Sequence, residues 1–330
     1  MERKLRCLKG FLGLIIMFTF VGVCQAAEFP TKSMEWLAPF GPGGPSAISL
    51  KFIGDAASKL LGQPVLVVAA PGAAGTVAGA RVARAKPDGY TLLGSNSATN
   101  GTALFLKKDL TYSNNDFEFL AEYGAFDLGL AVKADSPFKT LEDYIEYGRK
   151  NPSVIKCATT GAGGADHLSS ELLSIETGGL KIDYVPFKSP FEKRNAILGG
   201  HVHSGFIYGG GGGPGDEFRQ MLDGGGRILA VTTKVRLKAY PDVSTFSERG
   251  LNVVLSSWYG IAGPKGMPKE VSKKLNDAIY KVMREPETIK VIESLGFRYE
   301  FRDSEEFTKF VKEREKLVER IIKEAGIPAN

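Results

Sequence analysis

From Met34 onward, short apolar runs alternate with segments whose apolar residues recur every three to four positions. Residues 34–38 read as a buried strand and 46–61 as a helix. A strand over 65–68, a helix over 76–84 and a strand over 90–94 follow. This β-α-β-α-β order predicts a parallel sheet with right-handed crossovers. The rhythm restarts at 128–132 and continues through a helix over 141–150, a strand over 154–159 and a helix over 165–177. A strand over 182–185, a helix over 192–198 and a strand over 203–207 complete a second α/β unit. The tail differs. After a strand over 257–263, helices over 269–283, 285–295 and 304–325 are expected with no strands between them. Lys312, Glu313, Glu315 and Lys316 mark a solvated helical face packed on the body. Segments 119–132 and 253–263 cross between the two units, and a pair of crossings makes a hinge and a cleft.

Composition changes this picture at the amino terminus. Arg3, Lys4, Arg6 and Lys9 precede an apolar run over 11–23, and Cys24-Gln-Ala26 offers small residues for cleavage. The pattern is a secretory signal peptide over 1–26, with maturation near Ala27. Val23 is too bulky for the residue before a lipidated Cys24. The net charge of +5 falls to +2 without that segment, 38 Lys/Arg against 36 Asp/Glu, so charge gives no reason to expect nucleic acid. Cys157 is then the sole cysteine, so no intrachain disulfide forms. The remaining chain, about 300 residues, suffices for two packed domains, and no later apolar run reaches the length of a membrane span.

Two loops carry the candidate chemistry. In "APFGPGGPSAIS" a strand ends at Pro39-Phe40, Gly41, Gly43 and Gly44 follow, and a helix begins at Ser46 and Ala47. Backbone N–H groups at the positive end of a helix dipole form an anion site. The alternative is a tight turn holding nothing. The loop lacks the Gly-Lys-Ser/Thr of a P-loop and the spacing of a dinucleotide fingerprint. In "ATTGAGGADHLSS" the second unit repeats the device with Gly161, Gly163 and Gly164, and Thr159 and Thr160 add hydroxyls. One helix start per unit, aimed at one cleft, could grip a small carboxylate. His167 is either a donor to that carboxylate or a packed imidazole. Lys188 is either an anion attractor or a solvated surface group, as is Lys51. Ser95, Asn96 and Ser97 follow the third strand, where α/β sheets present ligands. Cys157 reads as core rather than nucleophile. His201 and His203 share a strand face, but no Cys or carboxylate cluster completes a metal shell; neither metal nor cofactor is expected.

Together, Pro39-Phe40 with Pro42-Gly43-Gly44, Gly62-Gln63-Pro64-Val65, Pro71-Gly72, Pro87 to Leu93, Val185-Pro186-Phe187-Lys188, Gly199-Gly200 and Trp258-Tyr259-Gly260 resemble the tripartite tricarboxylate transporter substrate-binding proteins, the TctC or Bug family. The matches run in order over essentially the whole mature chain. The resemblance implies an α/β fold class, a two-lobed periplasmic binding protein of type II-like, Venus-flytrap form, each lobe a sheet flanked by helices, with C-terminal helices. On that fold the first domain takes 27–126 plus 258–330 and the second 127–257. It also implies a monomer that delivers a small organic anion (a mono-, di- or aromatic carboxylate) to a permease of one large and one small membrane subunit. The carboxylate would sit between 40–47 and 159–167.

The departures from the family pattern bear on the ligand. Ala47 stands where relatives commonly have Asp, which argues against a ligand ammonium. Gly164 replaces a Ser or Thr. The run Gly209 to Gly213, after Tyr208, removes side-chain specificity and leaves room for a bulkier ligand or a mobile lip. Phe40, Phe187, Tyr208 and Trp258 favour a ligand with an apolar body. Two rivals remain open on sequence. One is a sensing protein that feeds a kinase or chemoreceptor; the other is an exported hydrolase using Thr159 or Thr160 with His167.

Overall fold

The structure, a computed structural model, describes residues 28–329. The expected export segment, with Cys24, lies outside them. β1 (Met34–Ala38), α1 (Pro45–Leu61), β2 (Val65–Ala69), α2 (Thr76–Ala83) and β3 (Thr91–Asn96) follow in the predicted order, and β1 runs parallel to both β2 and β3. Pro45 pre-sets the helical φ in the first turn of α1. Gly62 ends the helix at φ 73°, donating its N–H to the Ser58 carbonyl. Leu50, Ile53, Ala57 and Leu61 form its buried stripe. After β3 the backbone makes a π-helical turn over Ala98–Thr102 that runs into α3 (Ala103–Leu106).

The long strand β4 (Phe117–Lys133) leads into the second lobe. There α4 (Leu141–Lys150), β5 (Ile155–Thr159), α5 (Ala165–Glu176), β6 (Ile182–Pro186), α6 (Pro190–Leu198) and β7 (Ser204–Gly209) match the expected order. β5 runs parallel to β6 and β7. Two elements the sequence pattern did not predict complete this lobe: α7 (Glu217–Asp223) and β8 (Gly226–Val231). β9 (Ser256–Pro264) then returns to the first lobe, followed by α8 (Lys269–Met283), α9 (Pro286–Ser294), β10 (Arg298–Arg302) and α10 (Ser304–Glu324).

β4 joins the lobes by exchanging partners. Up to Asp127 it pairs antiparallel with β9; from Asp127 onward it pairs with β7. Its other edge changes too, from β10 at Glu122–Ala125 to β8 at Gly129–Lys133. The strands of both lobes therefore form one hydrogen-bonded sheet, ordered β2-β1-β3-β9-β4-β7-β5-β6 with β8 and β10 also on β4.

The tail corrects the sequence reading in two ways. It is not free of strands, because β10 sits between α9 and α10. Its Arg298 and Arg302 reach Asp127 and Glu122, both buried on β4. Nor does α10 rest on one lobe. Phe307, Phe310 and Val311 enter the core built on β3 and β9, whereas Val318 and Ile321 enter the core of the second lobe. α10 thus straps the two lobes together.

Candidate functional site

A cavity of about 670 Å³ opens between the lobes. One wall is the β1–α1 corner, with Phe40, Gly44, Pro45 and Ser46; the facing wall is the β5–α5 corner, with Thr160, Gly163, Gly164 and Ala165. Both helices begin from a glycine in extended conformation, Gly44 (ψ 153°) and Gly164 (ψ 154°), and neither glycine has a side chain to cap the first turn. Among the described residues, the backbone N–H groups of Ser46 and Ala165 find no protein acceptor. Each is an unsatisfied donor at a positive helix end, and both border one space. Of the residues the sequence singled out, the structure brings Phe40, Gly44, Ser46, Ser97, Thr160, Gly163, Gly164, Lys188, Tyr208 and Trp258 to this cavity.

The others lie elsewhere, each for a physical reason. Gly41 and Gly43 sit outside the wall, where an added Cβ would meet nothing within 4 Å. Ala47 is on the inward face of α1 and belongs to the first core. Ser95 and Asn96 are buried: the Ser95 hydroxyl donates to Asn100 Oδ1 (2.8 Å), and Asn96 Oδ1 accepts the N–H groups of Ala98 and Thr99. They build the π-helical turn whose Ser97, Ala98, Gly101 and Thr102 do meet the cavity. Phe187 joins the second lobe's packing near Ile197.

The second corner is held by a buried ion pair that sequence reasoning missed. Asp166 accepts from Thr160 N (2.7 Å), Thr160 Oγ1 (3.0 Å) and His167 N (3.0 Å), and Lys193 Nζ sits 2.8 Å away. Lys193 also donates to the Phe206 carbonyl at 2.7 Å and lies 4.6 Å from the Tyr208 ring centroid. Thr160 therefore spends its proton on Asp166 and offers the cavity only an acceptor. Thr159 is buried, and its hydroxyl accepts the Gly161 N–H at 3.4 Å, holding Gly161 to the loop rather than to the cavity. His167 faces away as well. Its Nδ1 accepts the Gly163 N–H at 3.3 Å, Nε2 stands 3.5 Å from Glu171, and its ring packs edge-on to Tyr184. Burial pulls its pKa below the ordinary imidazole range, so it is neutral near pH 7. The Thr–His pairing a hydrolase would need does not form.

The run Gly209 to Gly213 is not a mobile lip. A Cβ on Gly211 would stand 2.1 Å from the Phe297 carbonyl oxygen, and one on Gly213 would stand 2.2 Å from that of Glu293. The N–H groups of Gly210 and Gly212 converge on Asp216 Oδ2, at 2.9 and 2.6 Å. The glycines let this loop lie backbone to backbone against the end of α9.

The rest of the lining is mainly apolar: Phe126, Leu168, Leu255, Trp258, Tyr259 and Val318. Three charged side chains reach it: Lys188, Glu217 and Arg314. Glu217 accepts the Tyr208 N–H at 3.2 Å, and burial raises its pKa. Arg314 and Glu217 carried no functional reading from sequence. Arg314 had one legible signal, a charge in the inward stripe of an amphipathic helix.

The family model for the tripartite tricarboxylate transporter family receptor matches residues 50–327. A UPF0065 protein encoded in the gbd 5' region of Cupriavidus necator is 30% identical over 308 residues, covering 92% of this chain and 90% of its own. A TctC solute-binding protein from Polaromonas superposes with a TM-score of 0.79 at 24% identity, over 90% of this chain and 99% of that one. MatC from Rhodopseudomonas palustris, solved with bound malate, superposes with a TM-score of 0.72 at 25% identity, over 89% and 100%.

Proposed function

Because this chain belongs to the tripartite tricarboxylate transporter receptor family, a family of solute-binding proteins and not of enzymes, we propose the following role. The protein captures one small organic carboxylate between its lobes in the periplasm and delivers it to the large and small membrane subunits of such a transporter. The observation that carries the reading is the pair of uncapped corners, with the Ser46 and Ala165 amides open on one cavity. A carboxylate satisfies both donors at once and lies on two dipole ends. The malate bound by MatC supports a small organic acid.

The apolar lining favours an acid with a hydrocarbon body over a compact polyhydroxy acid. Domain boundaries follow from the same reading: the lobes turn about Asp127, where β4 changes partners, and about the start of β9, whose Ser256 pairs with Asp127. Closure requires that the ligand bind the closed state more tightly than the open one.

Mass spectrometry of ligand retained through purification, then a thermal-shift screen of mono-, di-, tri- and aromatic carboxylates, tests this. A carboxylate should raise the melting temperature, and Ser46→Glu should abolish that rise while leaving the ligand-free melting temperature unchanged. Undiminished binding by Ser46→Glu would show that the first corner is only a turn.

A further inference from the structure

A second cavity, of about 770 Å³, lies beside β10 and α10. It shares Leu255, Ser256 and Arg314 with the inter-lobe cavity. The Arg314 guanidinium nevertheless rests on Val254 and Phe310, which line the second cavity alone. The character of this second lining is different. Seven cationic side chains border it, Lys234, Arg236, Lys238, Arg298, Arg302, Lys309 and Arg314, against four acids, Asp127, Glu300, Glu306 and Glu313, a surplus of three positive charges.

The pairing inside the cavity leaves most of that surplus open. Arg298 holds Asp127 and Glu300, and Arg302 holds Glu300 and Glu122. Arg236 is held by Glu248 at 3.0 Å. Among the described residues, Lys234, Lys238, Lys309 and Arg314 form no ion pair with a carboxylate. Glu306 and Glu313 flank Lys309 on α10 and are exposed. One guanidinium nitrogen of Arg314 donates to the Val254 carbonyl at 2.7 Å, which leaves the rest of its donor fork available. Burial and the Arg302 charge both pull the Arg314 pKa down, as expected of a cation short of counter-charge.

The loop after β8 adds backbone donors. Every residue from Thr232 to Lys238 lines the cavity. Among the described residues, the backbone N–H groups of Thr233 to Lys238 find no protein acceptor. The Thr233 hydroxyl donates to the Val235 carbonyl at 2.7 Å and holds the loop in a turn, with Thr233 and Leu237 buried. Successive unpaired N–H groups beside cations make a concavity for an anion.

We propose that this cavity is a second anion site, for a compact polyanion of the phosphate class, free in solution or carried on a lipid headgroup. Arg314 meets a phosphate as a fork and the three lysines meet it as point charges. The site draws on both lobes. Lys234 and Lys238 flank Leu237 of the second lobe's packing, whereas Lys309 adjoins Phe310 of the first lobe's core. A polyanion held there ties the lobes together beside Asp127, and it does so whether or not the inter-lobe cavity holds a carboxylate.

Isothermal titration of the protein with pyrophosphate and with orthophosphate at low ionic strength tests the inference. Wild type should bind pyrophosphate at one site and more tightly than orthophosphate. Lys309→Gln, and Lys234→Gln combined with Lys238→Gln, change exposed side chains and should each weaken binding about fivefold. Arg314→Gln should weaken it about tenfold or more, and the lysine variants decide alone if thermal unfolding shows Arg314→Gln to be misfolded. Lys86→Gln lies outside the lining, and Ser46→Glu alters only the inter-lobe cavity, so both should bind pyrophosphate as wild type does. Flotation with phosphatidylglycerol vesicles, against phosphatidylcholine ones, separates the sources. Capture that the lysine variants lose assigns a lipid phosphate, and pyrophosphate binding without capture assigns a soluble one. Three results would overturn the proposal: wild type binding neither pyrophosphate nor the anionic vesicles, a loss in Lys86→Gln equal to that in the lysine variants, or a loss confined to Ser46→Glu.

Discussion

Asp166 and Lys193 both have fully buried side chains, and their ion pair fixes the orientation of the Gly163–Gly164 corner. Removing one partner strands a charge in a low-dielectric interior, at a cost of about 3–5 kcal/mol. Lys193→Met should lower the urea-unfolding free energy by about that much. Asp166→Asn with Lys193→Met should be less damaging than the two single effects added, with a coupling of about 1–3 kcal/mol. Simple additivity would mean that the pair does not act as a unit. Glu122 poses a different problem at the same scale. Its Oε1 is buried without a hydrogen-bond partner, and burial pushes its pKa from 4.5 up to about 7 despite Arg302 beside it. An acid whose folded pKa is raised binds its proton more tightly in the fold. Its stabilising contribution is present below about pH 4.5 and is lost as pH rises toward 7. The unfolding free energy of wild type minus that of Glu122→Gln should therefore fall between pH 4.5 and 7 and level off above. A flat difference would show that Arg302 keeps the carboxylate ionised throughout.

Among the elements, the glycine loop after β7 makes the sharpest prediction. Gly211→Ala and Gly213→Ala drive a methyl into the backbone carbonyls of Phe297 and Glu293. Each should cost about 1–3 kcal/mol, read as a lowered melting temperature, whereas Gly41→Ala meets no atom within 4 Å and should be neutral. Equal tolerance at all three would restore the mobile lip that the sequence suggested. That misreading marks what local patterns carry. Met34–Ala38, Leu141–Lys150 and Lys269–Met283 were legible to the residue, because apolar periodicity and the Thr140–Asp143 capping box are local signals. β10 was not, because Arg-Tyr-Glu-Phe-Arg pairs its charges with Asp127 and Glu122, more than 170 positions earlier. The two glycine corners were legible for the same local reason as the helices. Ser95 and Asn96 misled because their side chains turn inward to shape Ala98–Thr102, whereas Ser97, named with them, does face the cavity. Arg314 was visible as a break in a stripe, but nothing in sequence said that the stripe bridged two cores.

That bridge constrains how the whole molecule can move. β4 passes from lobe to lobe without a break, and α10 is seated in both cores, so the lobes cannot separate by melting a linker. On the proposed reading they rotate by small changes of twist near Asp127, where β4 changes partners, while the strand ladder stays bonded. The corners at Gly44–Ser46 and Gly163–Ala165 differ in hydrogen bonding, since each has one amide, Ser46 and Ala165, without an acceptor. Hydrogen exchange should separate the two behaviours. A carboxylate that raises the melting temperature should slow exchange at both corners together and leave the β4 amides around Asp127 as protected as before. A ligand gripped by one lobe alone would protect only one corner, because the second dipole end would still face water. Loss of protection in β4 on binding would place the pivot elsewhere and require the strand itself to break. The simultaneous response of two corners more than 110 residues apart in sequence, across a strand that does not change, is what distinguishes a closing cleft from a surface site that happens to bind an anion.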